Sequence, residues 1–258
     1  MKVVIFAGGY GTRLSEETTL RPKPMVEVGG KPILWHVMKC YAAHGLTDFV
    51  VLGGYKVDVI RDYFLNYTQR SGDFTVDLST GKMIWHRSQA EDWRVTVMDT
   101  GMETMTGGRL KRAHDVIGDD TFCLTYGDGV SDVNIADLVA FHKQQGRWAT
   151  VTAVSPPGRF GVLSFSPDGN MVDAFREKAS VDVGMINAGF FVCERNVFDM
   201  IDDDATVWEQ EPIARLVEKQ QLSAFRHHGF WQSMDTVRDR QVLESAWAKG
   251  DAPWAVSW

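Results

Sequence analysis

"KVVIFAGGYGTRLSEETTLRPKPMVEVGGKPILWH", residues 2–36, holds two readable elements and a long connection between them. Residues 2–7 are a short apolar run rich in β-branched side chains, the pattern of a strand covered on both faces. From Pro32 the period changes. Leu34, Val37, Met38 and Tyr41 recur at helical spacing, with Pro32 suited to the first helical position and Gly45 to a left-handed end. Between the two, residues 8–32 carry five glycines, three prolines and the cations Arg13, Arg21, Lys23 and Lys31. Connections this long inside a compact domain are usually functional or disordered.

The alternation continues outward from this stretch. "DFVVLG" (48–53), "VTVMDT" (95–100), "TFCLTY" (121–126) and "ATVTAV" (149–154) read as strands. "VDVIRDYFLNY" places Val57, Ile60, Phe64 and Tyr67 on one helical face, and further helices are predicted near 108–117 and over 134–146, the latter stopped by Gly146. Strands alternating with helices predict an α/β fold with a mostly parallel, doubly wound, Rossmann-like sheet. Beyond Gly158 the pattern turns β-rich: "RFGVLSF", "MVDAFRE" and "MINAGFFV" follow one another without helices, which predicts a mixed sheet or a β-rich insertion near a substrate. "RDRQVLESAWAKG" reads as a last helix, followed by a tail with Trp254 and Trp258.

A chain of 258 residues buries enough surface to dispense with disulfides or a structural metal. Cys40, Cys123 and Cys193 sit far apart in apolar segments, which argues against a disulfide framework or zinc site and for inert thiols in a reducing compartment. The N-terminal apolar run is too short for a signal peptide, and no stretch reaches membrane-spanning length, so a cytoplasmic location is expected. A net charge of −7 disfavours nonspecific nucleic-acid binding. Two local basic islands, residues 1–31 and "GGRLKRAHD", lie beside glycine-rich turns and point to a small anionic ligand.

Gly8, Gly9 and Gly11 follow a strand's carboxyl end, where open α/β sheets bind ligands. Without side chains they let backbone N–H groups approach a phosphate. Two familiar phosphate motifs do not fit: Leu14 stands where a dinucleotide fingerprint needs its third glycine, and Pro32 stands at a P-loop's hydroxyl position. What remains is G-G-x-G-T-R-L, then Lys23 held between Pro22 and Pro24. The lysine offers a point charge to a reacting phosphate, and Arg13 a fork across two oxygens.

"AGGYGTRL…RPKPMVEVGGKPILWH" resembles the signature of the sugar-1-phosphate nucleotidylyltransferases, and "DTG…MTGGRLKR", "YGDGV", "PPGRFG", "MINAGFFV", "WEQEP" and "GFWQSMDTVRD" extend the likeness along nearly the whole chain. Together the later motifs resemble the cytidylyl branch. The resemblance implies CTP and glucose 1-phosphate as substrates, Mg²⁺ as cofactor, homo-oligomeric assembly and a role in supplying deoxysugars for surface polysaccharide. It also implies one domain over 1–258, in which 1–155 mainly bind nucleotide, 156–235 mainly bind sugar, and 236–258 form the C-terminal helix and tail.

Residue by residue, it assigns Arg13 and Lys23 to catalysis, and Gly8, Gly9, Gly11, Thr12, Arg13, Lys23, Thr106, Gly107, Gly108, Arg109, Gly127 and Asp128 to the nucleotide. Asp128 and Asp235 match the family's metal ligands; from the residues alone, two aspartates so far apart cannot be paired. Tyr126, Gly161, Glu177, Lys178, Asn187 and Gly189 match positions lining the sugar pocket. Ala179 departs from the family's usual proline after Glu-Lys and loosens the turn there.

Other readings remain open at this level. The same chemistry with dTTP or UTP needs no change in the motifs quoted. A GT-A glycosyltransferase would carry Asp-x-Asp, where this chain has "YGDGVSD". A noncatalytic nucleotide-sugar sensor would have no need of Arg13, Lys23, Asp128 and Asp235 together. His227-His228 has no further ligand spacing and reads as surface or packing, and the tryptophans as core or subunit interface.

Overall fold

In the computed structural model, which describes residues 1–88, 90–156, 162–165, 172–176 and 184–255, the opening apolar run is strand β1 (Lys2–Ala7). Residues 13, 15, 16, 87, 88, 162–165 and 172–176 are described by their backbone alone. Val3 and Ile5 point into one hydrophobic cluster and Val4 and Phe6 into another. Both faces of the strand are therefore covered, which is why its sequence shows no polar alternation.

The connection after β1 is built of short elements. A 3₁₀ turn over Thr12–Leu14 runs into helix α1 (Ser15–Thr18). A second 3₁₀ turn over Lys23–Met25 precedes the small antiparallel pair β2 (Glu27–Val28) and β3 (Lys31–Pro32). Helix α2 (Ile33–Ala42) begins one residue later than the sequence predicts, with Pro32 as its N-cap; Gly45, at φ +78°, turns the chain away.

Next come β4 (Asp48–Gly53), α3 (Val57–Leu65), α4 (Tyr67–Arg70), the hairpin β5 (Gly72–Asp77) and β6 (Lys82–Ser88), and β7 (Arg94–Asp99). The single helix expected near 108–117 is two, α5 (Thr106–Arg112) and α6 (His114–Ile117), because the backbone leaves the helical region at Ala113. Strand β8 (Phe122–Tyr126), the short β9 (Gly129–Ser131), α7 (Ile135–Gln145) and β10 (Ala149–Val154) follow. Asn134 caps α7 by accepting from the Asp137 N–H at 3.1 Å, and Gly146 ends it at φ +59°.

In the second half, β11 (Val162–Phe165) and β12 (Val172–Arg176) pair with each other as a separate antiparallel hairpin. "MINAGFFV" is not one strand but two, β13 (Ile186–Asn187) and β14 (Phe191–Cys193), split where Gly189 and Phe190 take positive φ. Helix α8 (Glu211–Glu218), β15 (Leu222–His227), β16 (Trp231–Ser233) and α9 (Val237–Ala248) complete the chain.

The main sheet runs β13-β10-β14-β8-β1-β4-β7, with β15 also on β10. Strands β8, β1, β4 and β7 are parallel, while β14 is antiparallel to both β8 and β10. The expected mixed sheet is thus observed, and β13 to β15 join the central sheet itself. The antiparallel pair β9–β16 sets Gly129 opposite Ser233, and Met234 N–H donates to the Asp128 carbonyl at 2.8 Å. That pairing brings two sequence-distant segments to the carboxyl end of β8. Among the described residues, no helix is long and apolar enough to cross a membrane.

Candidate active site

A cavity of about 440 Å³ opens at the carboxyl ends of β1 and β8. The glycine loop forms one wall, residues 102–106 another, and Lys23, Tyr126, Gly127, Asp128 and Asp235 the rest.

Each loop glycine has its own physical reason. A Cβ on Gly8 would run into the Arg109 guanidinium. Gly9 has open space beside it. Gly11 sits at φ +64°, where a Cβ would lie 2.8 Å from Thr18 Cγ2. Thr12 is exposed on the cavity wall.

Arg109 is held from several sides. Although it lines the cavity, it is buried, and its guanidinium donates to the carbonyls of Gly101 (2.6 Å), Gly53 (3.0 Å), Gly8 (3.2 Å) and Met102 (3.2 Å) and to Thr100 Oγ1 (2.8 Å). Through these bonds from Nη1 and Nη2 it ties the glycine loop to the ends of β4 and β7 while it lines the cavity. Gly107 and Gly108 lie between Thr106 and Arg109 of the cavity wall and are themselves buried. Cβ atoms there would come within 2.7 Å of the Thr206 carbonyl oxygen and 2.5 Å of the Asp204 carbonyl oxygen. They let α5 pack against the 203–206 segment.

Lys23 carries the site's charge. Its Nζ donates to Asp128 Oδ2 at 2.5 Å and to Asp235 Oδ1 at 2.7 Å. Burial lowers the lysine's pKa, but the two carboxylates outweigh it and the net shift is upward. The ammonium is therefore charged across the physiological range. Ser233 Oγ donates to Asp235 Oδ2 at 2.9 Å, and the capping box of Thr236 and Asp239 fixes the turn that carries Asp235 into α9.

The two carboxylates converge on one positive charge and offer hard oxygen donors. That set fits Mg²⁺, which commonly takes one or two protein carboxylates and draws its other ligands from phosphates and water. No cluster of three or more candidate metal ligands occurs among the described residues.

On the sugar side of the expectation, Tyr126 OH donates to Glu209 Oε1 at 2.7 Å, and Asn187 Nδ2 lies 3.3 Å from the same phenol oxygen. Asn187 Oδ1 accepts from the Gly189 N–H at 2.8 Å. Gly189 is required at φ +77°, since a Cβ there would come within 2.9 Å of the Tyr126 ring. Gly127 N–H donates to the Phe6 carbonyl at 2.9 Å, tying the end of β8 to β1. Gly161, Glu177, Lys178 and Ala179 lie outside the described residues, as does the side chain of Arg13.

Sequence reading missed three contributors. Tyr10 and Glu103 face each other across the cavity mouth, with the phenol donating to the carboxylate at 2.6 Å. Glu209 bridges Tyr126 and Thr106, whose hydroxyl donates to Oε2 at 2.7 Å. "WEQEP" was legible as a motif, but nothing in it says which of its two glutamates meets Tyr126 and Thr106. His227 packs as expected, its Nε2 2.7 Å from Asp132 Oδ1.

The chain belongs to the nucleotidyl transferase family, whose model matches residues 2–238. It is 53% identical over 255 residues to the glucose-1-phosphate cytidylyltransferase of Salmonella typhi, covering 98% of each chain. It is also 44% identical over 257 residues to the probable glucose-1-phosphate cytidylyltransferase of Bacillus subtilis, covering 99% of this chain and all of that one. Among solved structures, HddC from Yersinia pseudotuberculosis shares the fold at TM-score 0.69 and 22% identity over 95% of this chain and 99% of that one. A UDP-glucose pyrophosphorylase solved with UDP-glucose matches at TM-score 0.69 and 14% identity, over 96% and 98%.

Proposed function

We propose that this protein transfers CMP from CTP to α-D-glucose 1-phosphate, forming CDP-glucose and releasing pyrophosphate. The observation that carries the reading is the meeting of Lys23, Asp128 and Asp235 at the glycine loop. The choice of cytosine and glucose follows from the Salmonella typhi relative, alike over 98% of both chains.

A phosphate oxygen of glucose 1-phosphate attacks the α-phosphorus of CTP. The new P–O bond forms as the bond from that phosphorus to the bridging oxygen breaks, and pyrophosphate carries away the electron pair. The nucleophile is already ionised near neutral pH, so no general base is needed. Catalysis then rests on holding the two substrates in line and neutralising charge. The backbone of Gly8, Gly9, Gly11 and Thr12 receives the nucleotide phosphates, Lys23 balances charge on the reacting phosphate, and Arg13 takes the leaving pyrophosphate. Asp128 and Asp235 would hold Mg²⁺, which when bound supplies positive charge against the phosphates. Thr106 and Gly127 border the nucleotide. Tyr126, Asn187 and Gly189, with Gly161, Glu177 and Lys178, receive the sugar phosphate. The corresponding division of the chain is nucleotide binding in 1–155 and sugar binding in 156–235.

The same reading places the enzyme in the cytoplasm, in keeping with its three free, buried thiols, and assembles it as a homo-oligomer. The hairpin β5–β6 suits that assembly. Phe74, Val76, Met83 and Trp85 share one face and are exposed, and an isolated two-stranded hairpin is only marginally stable in water.

Pyrophosphate release with Mg²⁺ and glucose 1-phosphate, with CTP, UTP, dTTP, ATP and GTP offered separately, tests the proposal. Turnover with CTP far above the others is expected. Equal or faster turnover with UTP or dTTP would move the base preference, and no release with any nucleotide would remove the activity.

A further inference from the structure

Glu209 precedes α8 and is exposed, yet its carboxylate is doubly engaged. Oε1 accepts the Tyr126 phenol proton and Oε2 the Thr106 hydroxyl proton, each at 2.7 Å. Both donors are hydroxyls, so each carboxylate oxygen serves as an acceptor. No other hydrogen bond or ion pair is made by Glu209 among the described residues. Core packing asks nothing of this residue, whereas both of its partners line the cavity.

The direction of the Tyr126 bond has a chemical consequence. A phenol has one proton to give, and here it points at Glu209, while Asn187 Nδ2 lies on the same oxygen at 3.3 Å. What the phenol oxygen has left for a ligand is acceptor capacity. It can receive a hydrogen bond from a hydroxyl but can give none to a phosphate oxygen. Burial first, then the Glu209 charge, holds the phenol pKa far above its ordinary value, so the proton stays in place. Thr106 is fixed differently: its hydroxyl donates to Glu209 and accepts from the Trp208 backbone N–H at 2.9 Å.

We propose that Glu209 is a positioning residue for sugar recognition, one that orients the Tyr126 phenol as a hydrogen-bond acceptor toward a hydroxyl of the sugar phosphate. This rests on the nucleotidyl-transfer reading of the cavity and adds to it a residue that never touches substrate.

The test uses the full chain and initial rates of pyrophosphate release, varying glucose 1-phosphate at saturating CTP and then the reverse. Glu209→Ala is expected to raise KM for glucose 1-phosphate about tenfold, the worth of one well-placed hydrogen bond. Its kcat and KM for CTP stay within about twofold, as for loss of uniform binding on the sugar side alone, because Thr106 keeps its bond from the Trp208 backbone N–H. Glu209→Gln, whose amide oxygen still accepts the phenol proton, restores the sugar KM to within about threefold of wild type. In a Tyr126→Phe background, Glu209→Ala adds nothing further, because the two act through one bond.

Three results overturn the inference: equal rises in both KM values with a lowered thermal midpoint, a Gln variant as impaired as Ala, or additive losses in the double variant. Absence of turnover in the wild type would instead strike the reading beneath it, so the two failures are told apart.

Discussion

The Arg109 guanidinium ends among five acceptors, four of them backbone carbonyls, and so fixes how the glycine loop meets the sheet. Lysine cannot replace it: one ammonium with three donors cannot reach carbonyls fanned across three segments. Arg109→Lys is expected to lower unfolding free energy by about 2–4 kcal/mol, since buried carbonyls lose their donor. Urea unfolding followed by fluorescence measures this, and a change within error would mean that the clamp has no energetic weight. This role was hidden in the sequence, because a cation in "GGRLKR" beside glycines reads equally as a phosphate ligand. The type of residue was legible; its acceptors, contributed by β1, β4 and β7 together, were not. Lys23 was the easier case, because flanking prolines restrict it whatever the fold around it.

Among the elements, α2 is buried nearly all round, and His36 is its one histidine, wholly buried. Its Nε2 lies 2.8 Å from the Val28 carbonyl and its Nδ1 3.3 Å from Trp254 Nε1, with Trp35 and Trp247 edge-on around it. An indole N–H only donates, so Nδ1 accepts, Nε2–H donates, and the ring is neutral. Burial pushes its pKa down to about 4. Below the unfolded value of about 6.5 the unfolded chain takes up the proton first. Stability is then fully present above that pH and falls as pH drops toward 4, by roughly 3 kcal/mol from this group. Unfolding free energies between pH 7.5 and 4, compared with His36→Asn, should show a steeper fall in the wild type; parallel curves would contradict this.

Sequence periodicity found α2, the parallel strands and α9 because each repeats one pattern over several residues. It missed β5 and β6, whose alternation faces solvent instead of a core, and it ran β13 and β14 together, because the break at Gly189 is carried on by Phe190, a non-glycine residue at φ +45°.

At the scale of the whole molecule, the site exists because topology closes a long distance. Asp128 follows β8 and Asp235 follows β16, and only the β9–β16 pairing puts them on one ammonium. No local pattern encodes that pairing, so the carboxylate pair proposed to hold the metal was legible only through family resemblance, while the cavity's place at the carboxyl ends of parallel strands follows from the α/β pattern itself. The most direct measurement is therefore single-turnover pyrophosphate release from CTP and glucose 1-phosphate by Lys23→Ala beside the wild type, with circular dichroism to verify the fold. A folded variant slowed by about 10²–10³-fold, the range for losing a preorganised electrostatic group, is the predicted result. A folded variant turning over at the wild-type rate would contradict the account at its centre.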